Sequence, residues 1–266
     1  MDLLSESPLV PRAILLGASN VTLAFPRLWY GLRRAWPEPL EMFAAEGHGR
    51  SYGNWSRVGP RGLPGIISCQ LWDELNARPS IPSDRPRALI ADIGNDLLYG
   101  VEPEQVAVWI ETCLQRLQAI NARSVVTSLP IASVQKLTRS RFEFLKSVMF
   151  PGSRMSFDEV EPKMMRLNQL VVDFARTYQA TIVEKRSEWY GFDPIHIRRR
   201  FRATAWSEIL SSWFDEPNDV SFPSVGLNHS LRMWRQRPVE RRWRGKLQQT
   251  MQPVVRESDG SSLWLY

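Results

Sequence analysis

The chain is short of the residues that build metal centres and disulfide frameworks. Its 266 residues include two cysteines, Cys69 and Cys113, and three histidines, His48, His196 and His229. Neither cysteine sits at a metal-ligand spacing, and a disulfide scaffold needs more of them. Both fall in helically patterned segments, where small buried hydrophobes are expected. Three scattered histidines leave zinc almost nothing to bind, and no cofactor is expected. Long apolar runs are missing too, none reaching the ~20 residues of a membrane span. Met1-Asp2-Leu3-Leu4-Ser5-Glu6-Ser7-Pro8 has neither a basic start nor an extended apolar core, so it does not read as a secretory signal. A cytoplasmic protein is the default expectation.

What is present is ordinary globular composition, 43% hydrophobic and 23% charged, enough for one sizeable core. Short apolar runs at Ala13–Leu16, Leu40–Ala45, Ala88–Ile93, Ser124–Leu129 and Thr181–Glu184 read as five strands. Helical periods lie between them, over 26–36, 63–76, 102–121, 139–150 and 161–178, and a last one follows over 199–214. Residues 78–87 form a proline-rich connection. Alternation of this kind indicates an α/β fold with a central five-stranded parallel sheet covered on both faces. The expected organisation is one α/β domain over 1–214 and an extension over 215–266.

That extension lacks the strand–helix rhythm and is basic. Arg232, Arg235, Arg237, Arg241, Arg242, Arg244 and Lys246 crowd it, with Trp234 and Trp243 among them, within a net charge of +6. Such a surface is compatible with nucleic acid or another acidic polymer. A solvated or packing tail is the favoured reading, because basic clusters are common.

Four segments carry chemistry. Ser19, in Gly17-Ala18-Ser19-Asn20, follows the first strand at a turn toward a helix, where a hydroxyl is exposed and backbone N–H groups are free. A local cap is the competing role. Asp193 and His196 stand three residues apart in Asp193-Pro194-Ile195-His196, close enough for the carboxylate to hold one ring nitrogen while the other faces a nucleophile. Asn95, in Gly94-Asn95-Asp96, ends the third strand, where its carboxamide can face a developing oxyanion or make an Asx turn. Gly49, in Gly49-Arg50-Ser51, lets a backbone N–H approach a substrate, and Gly47 and Gly53 compete for that job. Ser19, Gly49 and Asn95 follow the first, second and third strands, so all three emerge on one rim of the sheet, where such folds bind ligands.

In this order the four segments resemble the SGNH hydrolases, the superfamily of GDSL-type esterases and lipases, over about residues 13–197. The resemblance implies a flavodoxin-like three-layer α/β/α sandwich and a Ser19 nucleophile. It also implies His196 as base, Asp193 as its orienting partner, and an oxyanion hole from the Ser19 N–H, the Gly49 N–H and the Asn95 side chain. Three positions depart from the usual pattern: Ala18 stands for Asp, Asn20 for Leu, and Ile93 for a Gly. The expected activity is hydrolysis of a small-molecule or carbohydrate ester through an acyl-serine, with a small acyl group such as acetyl. Two alternatives remain: an acyltransferase using the same triad, and a noncatalytic binding protein whose basic tail holds polyanions.

Overall fold

A computed structural model describes residues 10–36, 38–78, 85–215 and 220–266. The Met1–Pro8 segment and most of the proline-rich connection lie outside the described residues. The first half of the chain runs β1 (Arg12–Leu16), α1 (Ser19–Ala35), β2 (Glu41–Ala45), β3 (Ser56–Val58), β4 (Arg61–Leu63), α2 (Leu71–Ala77), β5 (Arg87–Ile90), α3 (Asn95–Leu98) and α4 (Pro103–Ala119). It continues through β6 (Arg123–Thr127), α5 (Ile131–Val134), α6 (Arg139–Met149), α7 (Phe157–Thr177), β7 (Thr181–Val183) and α8 (Arg202–Ile209). The remainder is α9 (Leu227–Trp234), β8 (Glu240–Trp243), β9 (Lys246–Gln249), β10 (Val255–Arg256) and β11 (Ser262–Leu265).

A seven-stranded sheet runs β10-β11-β2-β1-β5-β6-β7, parallel except for β10. The five strands read from the sequence form its β2-to-β7 side in parallel register. The sheet is wider than expected because β11 pairs with β2, Ser262 opposite Glu41 and Leu265 opposite Ala44. A second, four-stranded antiparallel sheet, β3-β4-β8-β9, joins the hairpin of residues 56–63 to residues 240–249.

Both faces of β1 are buried, which is why it reads as an unbroken apolar run. Ile14 and Leu16 pack with Phe43 against the layer of α2, α4 and α7. Ala13 and Leu15 pack with Met42 against the layer of α1 and α8. These are the three layers expected. Pro103 starts α4 at a position that needs no N–H donor. A capping box, Ser156 with Glu159, starts α7 earlier than its apolar period suggested and leaves Pro162 inside the helix.

Two further helices differ from expectation. The helix expected over 63–76 divides into a 3-10 turn at Ile66–Ser68 and α2, since Pro64 and Gly65 interrupt the chain and Gly65 lies against the Gly53 backbone, where a Cβ would come within 2.4 Å of an oxygen. The helix expected over 199–214 divides into a 3-10 turn at Arg199–Phe201, α8, and another at Ser211–Trp213. Cys113 is buried in α4 as expected; Cys69 is buried just before α2 rather than in a helix.

Candidate active site

The first-strand motif folds differently from its sequence signal. α1 begins at Ser19, seven residues before Pro26, because a carboxylate from another strand supplies the cap. Asp92, just past β5, accepts from the N–H groups of Ala18 (3.1 Å), Asn20 (2.9 Å) and Val21 (3.2 Å) through one oxygen, Oδ2. It thereby satisfies donors that a helix start leaves open and places negative charge at the positive end of the dipole. Among the described residues the Ser19 N–H has no acceptor. Asp92 itself holds a left-handed backbone, φ 60°, making the turn without a glycine at 93.

Two distant segments of the chain meet at Ser19. His196 Nε2 lies 2.7 Å from Ser19 Oγ, and His196 Nδ1 lies 2.5 Å from Asp193 Oδ2. The other Asp193 oxygen accepts from the backbone N–H groups of Ile195 (3.0 Å) and His196 (3.2 Å). Burial acts to raise the Asp193 pKa. The bond from the His196 ring, the charge of that ring and the two backbone donors outweigh it, so the carboxyl sits below its usual range.

Asn20, a departure to which sequence reasoning gave no role, holds this loop. Its Oδ1 accepts from the Ile197 N–H at 2.8 Å, and its Nδ2 donates to the Ile195 carbonyl at 2.8 Å. The same Nδ2 donates to Asp92 Oδ1 at 2.8 Å. The residues on both sides of His196 are thus pinned to the helix that carries Ser19. Lys185 Nζ lies 3.8 Å from the same Asp92 oxygen with both side chains buried; burial lowers the lysine pKa, and the Asp92 charge acts against that. Only a polar residue at 20 hinted at this clamp, and its partners are more than seventy residues away.

Asn95 begins α3 and is buried beside Ser19, and its Nδ2 has no hydrogen-bond partner among the described residues. A buried donor without an acceptor is costly, and such groups concentrate at sites that await a ligand. Next to it, Asp96 is fully buried and accepts from the Ser51 hydroxyl and, at 2.9 Å, from the Tyr52 N–H. Asp96 thus ties the loop after β2 to the loop after β5. Burial raises its pKa to about 6 despite those two donors.

Of the three candidate glycines, Gly53 gives its N–H to Ser51 Oγ at 3.2 Å and lies against the Trp109 ring. Gly49 has a left-handed backbone, φ 64°, and a Cβ there would meet Val58 and the Tyr99 hydroxyl within 2.7 Å. Tyr99 Oη donates to its carbonyl at 2.6 Å. Gly47 packs against Leu63 and accepts from the Arg50 N–H. Arg50, fully buried, also reaches the Glu46, Pro64 and Tyr266 carbonyls and so braces this loop against β11.

A narrow slot of about 80 Å3 opens beside Ser19 and Asn95. Its walls are apolar, among them Leu129, Val134, Phe142, Leu145, Val160 and Met164. They come from the loop after β6 and from α5, α6 and α7, segments without any of the four motifs.

No protein-family model matches the chain, and no curated protein matches it. Solved structures do. The native aryl esterase of M. smegmatis is 15% identical with a TM-score of 0.50, over 76% of this chain and 100% of that one. The psychrotrophic esterase EstA of Pseudoalteromonas sp., inhibited by monoethylphosphonate, is 12% identical with a TM-score of 0.48, over 76% of this chain and 97% of that one. AlinE4, an SGNH-hydrolase family esterase, is 14% identical with a TM-score of 0.39, over 83% and 88%. This chain shares its fold with that aryl esterase.

Proposed function

We propose that the chain is a serine esterase of the SGNH type. The observation that carries this reading is the relay from Ser19 through His196 to Asp193, at 2.7 and 2.5 Å, assembled from residues 177 positions apart. The M. smegmatis structure that shares its fold is an aryl esterase, which agrees with it. In the reaction, Ser19 Oγ attacks the ester carbonyl and its proton passes to His196 Nε2. The carbonyl oxygen becomes an oxyanion facing the Asn95 carboxamide and the Ser19 N–H, with the Gly49 N–H as third donor. His196 then protonates the departing alkoxide, leaving acyl-Ser19. Water, deprotonated by His196, attacks that ester and frees the acid and the serine. Asp193 holds the imidazole tautomer and stabilises the imidazolium in both halves.

The apolar slot is the place for the acyl group. At about 80 Å3, roughly half the volume of a cavity that accepts benzene, the slot suits a short acyl chain of about two to four carbons, in keeping with the small acyl group expected from the sequence.

The test is hydrolysis of p-nitrophenyl esters from acetate to decanoate by wild type, Ser19→Ala and His196→Ala, with mapping of a fluorophosphonate adduct. Labelling at Ser19 that His196→Ala abolishes, and a loss in both variants of about 10^4-fold or more, are expected. Equal rates in all three proteins would end the reading.

A further inference from the structure

Ser19 follows the central strand β1 and stands between two recesses. The apolar slot lies on the β5–β6–β7 side. On the β2–β11 side is a second cavity of about 350 Å3, within the range of small-molecule sites. Thr22, one turn along α1 from Ser19, lines it and is hydrogen-bonded to Glu46, which follows β2. His48, on the same wall, lies within electrostatic reach of His196 and Asp92. The cavity therefore opens on the same rim of the sheet as Ser19.

The two recesses differ in chemistry. Glu46, His48, Arg61 and Gln236 face the second one. The Arg61 guanidinium makes no hydrogen bond and no ion pair within 4.0 Å among the described residues, and its charge acts on Glu46 across the cavity. Gln236 donates to the Arg232 carbonyl and keeps its own amide oxygen. Trp234, 53% exposed at the end of α9, adds a flat apolar face. Planar groups that donate and accept in fixed directions, set around one indole, match a ring that carries hydroxyls on its rim and C–H bonds on its faces.

An ester has two halves, and the apolar slot accounts for one. We infer that the second cavity holds the alcohol half and that this alcohol is a polyol of sugar type, with residues 233–238 supplying one wall. The inference rests on the esterase reading of Ser19. It gives the basic C-terminal segment a place at the substrate, with Trp234 as the stacking residue and Arg61 as a hydrogen-bond donor to hydroxyls.

The experiment holds the acyl group constant. Butyrate esters of methyl glucoside, methyl xyloside and methyl galactoside are compared with hexyl butyrate and p-nitrophenyl butyrate. At least one sugar ester is expected to exceed hexyl butyrate tenfold or more in kcat/KM. Trp234→Ala and Arg61→Ala are each expected to lower the ratio of that sugar ester to p-nitrophenyl butyrate at least tenfold, and Trp234→Phe to retain it. Hexyl butyrate matching every sugar ester, or both alanine variants leaving the ratio unchanged, would overturn the inference. Calorimetric titration of Ser19→Ala with the three methyl glycosides separates the two readings. Saturable binding, lost on adding Trp234→Ala, supports the subsite even if no ester is cleaved, and absence of binding by all three counts against it.

Discussion

Asn20 and Asp92 share a 2.8 Å hydrogen bond that joins the helix carrying the nucleophile to the loop after β5. Asn20 spends its remaining capacity on the backbone groups either side of His196, so one carboxamide sets where the imidazole stands relative to Ser19. Asn20→Ala removes all three side-chain bonds. A displacement on the order of 1 Å at a reacting group costs about 100-fold. We expect kcat to fall about 10- to 100-fold with KM changing less than threefold, and fluorophosphonate labelling of Ser19 to slow in parallel. A labelling rate equal to wild type would show that Asn20 does not position the pair.

Asn95 is expected to matter for rate and not for stability. Its Nδ2 has no partner among the described residues, so Asn95→Ala deletes an unsatisfied buried donor. Steady-state kinetics should show kcat lower by about 10^2- to 10^3-fold, while thermal unfolding shows a midpoint equal to or above that of wild type. A drop in midpoint with unchanged kcat would make Asn95 a structural turn residue.

Chain-length preference should follow the slot. Val134 lies on its wall, and Val134→Phe fills part of a space of about 80 Å3. We expect the p-nitrophenyl butyrate to acetate ratio of kcat/KM to fall at least tenfold. An unchanged ratio would place the acyl group elsewhere.

Asp96 predicts a pH dependence of folding. Burial raises its pKa from 3.8 to about 6, so the folded state binds a proton that the unfolded chain has lost in between. Its contribution to stability is therefore complete below about pH 4 and is lost as pH rises through about 6. A shift of about two units corresponds to about 3 kcal/mol at most. Denaturant unfolding at pH 5.0 and 7.5 should show this loss in wild type and a flatter profile in Asp96→Asn. Equal slopes would mean that the charge is compensated.

The motifs were legible because they combine scarce residue types with strand ends. His196 is one of three histidines, and Ser19, Gly49 and Asn95 each follow an apolar run long enough to name a buried strand. What stayed hidden is carried by distant partners. α1 starts at Ser19 because of Asp92, a cap that no local pattern around Pro26 reveals. The apolar slot is lined by ordinary core residues of α6 and α7, whose helical period states that they are buried but not that a gap remains between them. Strand β11, Ser-Leu-Trp-Leu, is too short to announce its neighbour, and its place beside β2 follows from tertiary pairing alone.

That pairing bears on how the molecule is made. During synthesis β2 can find β1 at once, yet its other side stays bare until residues 262–265 leave the ribosome. A nascent chain therefore carries an unpaired row of backbone donors and acceptors on an apolar strand until those residues emerge, an invitation to intermolecular pairing. Variants that weaken β11 should thus show themselves first as poor recovery of soluble protein.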